Sequence, residues 1–484
     1  MKITIPARRL CSRAARVAAI LLVLPALAVA AAASATDAVV EGELGARLDA
    51  LGEQARAEGF HGVLLVAKDG KEILAKGYGI ANEGARTAFS PSTVVPIGSC
   101  VKDFTKVAVY QLVEAGKLRL DDTLGKFFPA APADRSATTV QQLLDHRAGL
   151  PLGVGLDEAP LAKQEFLERV FAAKLESAPG TTERYSNAGF SVLAAIVEQI
   201  AGEPFDAYVE RAILRPLGLT DTGLLTPKFA PARLAHAYAG SEDRGTMLDR
   251  PHMADGHGWA MRGNGGYLST VRDMLRFFRG GQGDRLLRDP EHRDAVLPRG
   301  GPTVLAGSDL VSFFLFANYP GARVEVVLAS NHDGYQGPRL LEAIEPLLGL
   351  GGPRGGEGGG RRRTGGGAGG EIANAPAVAL PDTPRGRVVG EYLQAFDADD
   401  EAAMRRFLEQ HADSGADTPP LAQRLENFHR LRRTLGRITV VGVEETAQGL
   451  ELTVRGEREG RAKLTFLLDD REPFRFRGLQ IEIG

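Results

Sequence analysis

Ser99 and Lys102 stand three residues apart in Pro96-Ile97-Gly98-Ser99-Cys100-Val101-Lys102, at the head of a run that reads as a helix as far as Gly116. Residues three apart on a helix are neighbours, so the amine should stand one turn above the hydroxyl on the same side. A serine hydroxyl is a weak nucleophile and needs an adjacent base. Lysine can be that base when burial and nearby positive charge lower its pKa. A buried helix N-terminus adds N–H groups and a positive dipole end for a developing oxyanion. The pair therefore suits attack on a carbonyl through an acyl-serine. Taken alone, the same four residues also describe an N-capping serine followed by a surface lysine. The elements around them have to decide.

Val101, Phe104, Ala108 and Leu112 mark one face of this helix, and Val107, Val109 and Val113 widen it. The helix is therefore expected to be largely buried, with Gly116 as its stop. Upstream, Leu44, Leu48, Leu51 and Ala55 recur at helical spacing. Gly62 to Ala67, the turn Lys68-Asp69-Gly70-Lys71 and Ile73 to Tyr78 then predict a hairpin, since Asp-Gly between apolar runs favours a tight turn. Far downstream, Val311 to Ala317 and Val324 to Ala329 read as strands. Leu340, Leu341, Ile344, Leu347 and Leu348 predict a closing helix kinked at Pro346. This order predicts an α+β domain: an antiparallel sheet assembled from both ends of the domain, flanked by helices, plus a helical region.

Composition sets the outer bounds. The 484 residues are 44% hydrophobic and 25% charged with a net charge of −3, which argues against a nucleic-acid binder working by bulk charge. Two cysteines exclude a disulfide scaffold. Lys2, Arg8, Arg9, Arg13 and Arg16 precede an apolar run from Val17 to about Ala33, closed by Ala33-Ser34-Ala35. That pattern predicts a signal peptide over 1–35 and an exported protein, periplasmic or secreted, with no membrane span after cleavage. Glycines and arginines from Gly351 to Gly370 predict a linker over 351–379, between a 36–350 domain and a smaller one at 380–484. In the latter, helical patterns around Val388–Phe396 and Met404–Leu408 precede four strand-like runs, Ile438–Val443, Leu450–Val454, Ala462–Leu468 and Phe474–Ile483. That order of elements resembles the small α+β domains of the nuclear-transport-factor-2 (NTF2)-like class, and it holds no catalytic constellation.

Gly98-Ser99 with Lys102, Phe104 and Thr105, followed by Gln111-Leu112-Val113-Glu114, resembles the first motif of the serine β-lactamase and penicillin-binding-protein superfamily, above all its class C-like and esterase branches. Four further segments match in order: Leu143-Leu144-Asp145-His146-Arg147-Ala148-Gly149-Leu150; Pro179-Gly180 with Tyr185-Ser186-Asn187; Pro216 to Thr222; and Gly263 to Met274. The resemblance spans roughly Leu48 to Leu348. It implies an acyl-enzyme on Ser99, proton handling by Lys102 and Tyr185, and substrate positioning by Asn187. It implies a structural His146, and a third motif on a strand lining the site. There the family carries Lys-Thr-Gly or His-x-Gly, whereas Thr303-Val304-Leu305-Ala306-Gly307-Ser308 has neither Lys nor His. The backbone N–H that completes an oxyanion hole needs no particular side chain and could persist near Gly307 or Ser308. The cation that would hold a substrate carboxylate is missing from Thr303, Val304 and Leu305, although Arg262 could approach from a neighbouring loop.

The resulting expectation is a serine hydrolase acting on a small ester, amide or peptide-like substrate, more esterase than β-lactamase. The rivals are a D-amino-acid peptidase or β-lactamase acting on cell-wall chemistry, and an inert binding descendant of the fold. No organic cofactor or metal is implied. His252 and His257 lack metal-ligand spacing, and Gly263-Asn264-Gly265-Gly266 does not keep the spacing of a dinucleotide loop. Cys100 reads as buried filler.

Overall fold

The structure is a computed structural model. It describes residues 37–483 apart from 156, 158–159, 225–227, 250–257, 299, 310, 333–336, 351–377, 412–420, 447–448, 457–461 and 470–473. The expected signal segment, most of the expected linker, and His252 and His257 lie outside the described residues. The chain divides into two compact units, Met1–Arg363 and Thr364–Gly484.

The first unit opens with β1 (Val39–Val40), α1 (Gly42–Ala57), β2 (Gly62–Lys68) and β3 (Lys71–Tyr78). Its helical region includes α2 (Val101–Glu114), α3 (Asn187–Ala201) and α4 (Val271–Gln282). It closes with β4 (Thr303–Asp309), β5 (Ser312–Tyr319), β6 (Val324–Ser330) and α5 (Gly337–Leu347). The strands form one six-stranded antiparallel sheet in the order β1-β3-β2-β6-β5-β4. The sheet joins the two ends of the domain, as expected: β2 pairs with β6, Val66 opposite Val326 and Leu64 opposite Leu328. The β2–β3 turn has Asp69 at φ 50° and Gly70 at φ 81°, the paired positive angles of a tight hairpin.

The sheet is covered on both faces, which explains why β2 reads as an unbroken apolar run. Leu64 and Val66 pack into a core with Leu48 of α1 and Leu340 and Ile344 of α5. Val63 and Leu65 point the other way, into a larger core with Phe104 of α2 and Phe190 of α3. Each such buried side chain contributes about 1.5–3 kcal/mol. Just past the end of α2, Gly116 (φ 66°) turns the chain away, and its N–H bonds to the Val113 carbonyl at 2.9 Å. α3 is apolar on nearly every side, as a helix inside a core must be, and Ser186 caps it by accepting the Gly189 N–H at 3.0 Å. α5 ends at Leu347, one residue past Pro346, so the proline sits in the last turn and stops the helix. No helix among the described residues is long and apolar enough to cross a membrane.

The second unit runs α6 (Pro384–Ala398), α7 (Glu401–His411), α8 (Leu421–Leu435), then β7 (Ile438–Thr446), β8 (Gly449–Gly456), β9 (Ala462–Leu468) and β10 (Phe476–Ile483). Its sheet is an antiparallel meander in chain order. An aromatic core joins helices to sheet: Tyr392 lies 5.5 Å from Phe407 and 5.1 Å from Phe466, both edge-on. α8 was not among the expected elements, although Leu425, Phe428, Leu431 and Leu435 carry its buried stripe.

Candidate active site

Ser99 lies in a single 3-10 turn, Gly98–Cys100, that runs directly into α2. The turn is fixed from both sides by backbone. Ile97 N–H bonds to the Tyr267 carbonyl at 3.0 Å, and Val95–Pro96 pairs with Leu268–Ser269. On the other side β4 presses against it through two facing glycines. A Cβ on Gly307 would lie 2.2 Å from the Ile97 carbonyl oxygen and 2.5 Å from Ser99 N; one on Gly98, which sits at φ 49°, would lie 2.2 Å from Ser308 N. No side chain fits between them. The contact brings the backbone of Gly307 and Ser308 beside Ser99. β4 is an edge strand, so alternate N–H groups along it point away from β5.

Ser99 Oγ stands between two polar groups. Lys102 Nζ is 2.9 Å away and Tyr185 Oη donates to it at 2.7 Å. Lys102 is 4% exposed, and its Nζ also donates to the Asn264 carbonyl at 3.0 Å. Burial pulls its pKa down to about 7, against the opposing pull of the Asp309 carboxylate. A substantial neutral fraction therefore exists near pH 7, which is the state a base requires. The Lys102 amine also sits 4.8 Å from the Tyr185 ring centroid. Tyr185 is 42% exposed as a residue, yet its hydroxyl turns inward, and burial pushes the phenol pKa up so that it stays protonated.

His146 holds Tyr185 in place. Its ring lies between Tyr185 (4.6 Å) and Phe190 (4.9 Å), its Nδ1 accepts the Ser186 N–H at 3.1 Å, and its carbonyl accepts the Arg184 N–H at 2.7 Å. Asn187 opens α3, with its N–H on the Leu152 carbonyl at 2.8 Å. Its buried Oδ1 has no hydrogen-bond partner among the described residues.

Two residues that sequence reasoning missed complete the site. Asn264 supplies the carbonyl that holds Lys102, while its buried amide donates to Ser191 Oγ and the Ala260 carbonyl, each at 2.8 Å. Asp309 is 7% exposed and accepts the Gly266 N–H at 2.8 Å. The signal for Asn264 was its run of flanking glycines. For Asp309 it was a carboxylate two residues past Gly307, on the same face of an apolar strand.

The strand register also decides among the three candidate positions of the third motif. Burial alternates along β4, placing Leu305 on the inward face with Gly307 and Asp309, and Val304 (40% exposed) on the opposite face. Thr303 Oγ1 donates to the Pro298 carbonyl at 3.2 Å. Leu305 thus shares its face with Gly307, which meets the Ser99 turn, and packs against the main core. Arg262 does not approach as a substitute cation. It is 6% exposed and ion-paired with Asp206, which also takes the Tyr267 hydroxyl at 2.7 Å. Cys100 is buried beside Ser99, and burial pushes its thiol pKa well up, away from thiolate chemistry. Among the described residues, no group of three or more His, Cys, Asp or Glu could hold a metal ion.

The family model described as Beta-lactamase matches residues 46–360, which include every residue of this constellation. The chain belongs to the beta-lactamase family. Its relatives include esterase EstB of Burkholderia gladioli, 30% identical over 272 residues, covering 48% of this chain and 69% of the esterase. The chain is also 28% identical over 183 residues to protein flp of Staphylococcus aureus, covering 36% of this chain and 37% of flp. Among solved structures, the D-amino acid amidase of Ochrobactrum anthropi SV3 matches with a TM-score of 0.53 at 21% identity, covering 63% of this chain and 99% of the amidase. The family matches the expectation drawn from the ordered motifs, and its fold is the α+β architecture of the first unit.

Proposed function

We propose that this member of the family is an exported serine hydrolase that cleaves neutral esters, and more slowly amides, through an acyl-enzyme on Ser99. One observation carries the proposal: Ser99 Oγ lies within hydrogen-bond reach of both Lys102 and Tyr185, beside the backbone of Gly307 and Ser308. Neutral Lys102 takes the Ser99 proton as Oγ attacks the carbonyl carbon. The N–H groups of Ser99 and Ser308 receive the oxyanion. Tyr185 passes a proton to the departing alkoxide, and the adjacent Lys102 ammonium returns one to the Tyr185 oxygen, so that both end neutral. Water then repeats the sequence on the acyl group. Asn187, with its unpartnered Oδ1, positions the substrate.

The preference for neutral esters rests on Leu305 and Arg262. The first is uncharged at the inward position of the third motif, and the second is bound to Asp206. A charged hydrogen bond to a substrate carboxylate is worth roughly 1.5–3 kcal/mol, or one to two decades in binding. Its loss falls on β-lactams and D-alanyl peptides and leaves neutral esters untouched. The name of the Burkholderia relative supports the same class. The expectation of export rests on the basic, then apolar pattern of residues 2–35.

A fluorophosphonate probe should label the protein, and Ser99→Ala should abolish labelling and p-nitrophenyl acetate turnover while thermal unfolding stays nearly unchanged. A labelled Ser99→Ala protein would refute the nucleophile. No labelling of the folded parent would favour an inert binding descendant, and efficient cephalosporin turnover would refute the neutral-ester preference.

A further inference from the structure

Strand β4 reaches the site through one more inward-facing residue. Asp309 follows Gly307 by two positions and so projects to the same side, behind the nucleophile turn. Its carboxylate accepts the Gly266 N–H at 2.8 Å and also the Gly98 N–H. Gly98 is the residue before Ser99. Gly266 belongs to the loop whose Asn264 carbonyl holds Lys102. One carboxylate therefore ties the segment carrying the nucleophile to the segment carrying the base's anchor, and both to β4.

We propose that Asp309 is a positioning residue for acylation, holding Ser99 and Lys102 in register and supplying the buried negative charge against which Lys102 takes up the serine proton. The inference rests on the reading of Ser99 and Lys102 as nucleophile and base. Creating an ammonium in a dry site is costly unless an opposite charge stands near it. Asp309 is that charge on the strand side. The other ionisable groups facing the pair are Asp103 and Lys106 of α2, which pair with each other at 2.8 Å, Cys100 beside the nucleophile, Tyr185 from the loop before α3, and Asp157 from the loop after Leu150. Burial raises the Asp309 carboxyl to about 6, so it is ionised at pH 7 and above. There it holds the Lys102 pKa higher than burial alone would.

The test is Asp309→Asn in the full chain, assayed by p-nitrophenyl acetate hydrolysis from pH 5 to 9 with unfolding followed in parallel. Removing the charge should lower kcat at least about tenfold, with KM changed less than about threefold. It should also move the acid limb of the kcat profile to lower pH, because Lys102 then loses its proton more easily. Asp309→Glu keeps the charge on a longer arm, so its limb should stay in place while kcat falls. Should Asp309→Asn fail to fold, Asp309→Ser gives the same neutral readout. A folded neutral variant with parental kcat, or one whose lost rate comes with an unmoved limb, overturns the proposal. Failure of the underlying nucleophile reading would show separately, as labelling that survives Ser99→Ala.

Discussion

Lys102→Met should abolish catalysis and stabilise the protein, and the size of the stabilisation should depend on pH. The Lys102 amine is held at about 7 against an ordinary 10.5 by burial. The unfolded chain therefore binds more protons than the folded one between those values, and stability rises with pH across that window. Below pH 7 the folded protein carries the full cost of the buried charge, on the order of 5 kcal/mol for a displacement of this size. By pH 9 the folded amine is neutral, and only the cost of deprotonating it remains, on the order of 2 kcal/mol. Methionine has no charge to bury and nearly the same length. It leaves the Asn264 carbonyl without its donor, which costs about 1 kcal/mol at any pH. The gain on substitution should thus be larger at pH 6 than at pH 9 by on the order of 3 kcal/mol. Urea unfolding followed by fluorescence of Trp259, the single tryptophan and a buried residue of the first unit, reads this out. Equal gains at the two pH values would show that Lys102 is not held near 7, and the base assignment would lose its physical footing.

Gly307→Ala should lower kcat/KM at least about 100-fold, because its Cβ would meet two backbone atoms at 2.5 Å or less and push β4 off the Ser99 turn. Leu305→His should raise kcat/KM for substrates bearing a carboxylate beside the scissile bond by about ten- to 100-fold over neutral esters. The same change at Val304, on the outer face, should do nothing; a gain at 304 and none at 305 would contradict the strand register.

The sheet was legible because its strands are buried on both faces or alternate cleanly, and because Asp69-Gly70 marks its first turn. The meeting of Ser99 and Lys102 was legible because it is local: they are three residues apart, and helix geometry alone brings them together. Tyr185 is 86 residues from Ser99 in the chain, and nothing local points to it. Only the ordered set of segments did. Asn264 was hidden for a different reason. Its contribution to Lys102 is a backbone carbonyl, which leaves no trace in side-chain identity, and what the sequence displays is the glycine-rich loop that lets the carbonyl turn inward. Arg262 misled in the opposite sense, since a charged residue near the site in sequence was already neutralised by Asp206, 56 residues earlier.

The third motif is where the two kinds of information meet. Sequence alone left Thr303, Val304 and Leu305 equivalent, because a shift of one residue along a strand exchanges its faces. The glycine contact removes that freedom. Gly307 must face Ser99, since no other residue tolerates the approach, and alternation then puts Leu305 and Asp309 on its side and Val304, Ala306 and Ser308 on the other. A strand that lacks the expected cation before the glycine thus carries a carboxylate after it, turned to the same side. The first departure leaves Leu305 uncharged on the inward face, and the second places a carboxylate that acts on Lys102. Together they leave the buried charge beside Lys102 and none at the position where the family holds a carboxylate, which is the arrangement the proposed preference for neutral esters draws on.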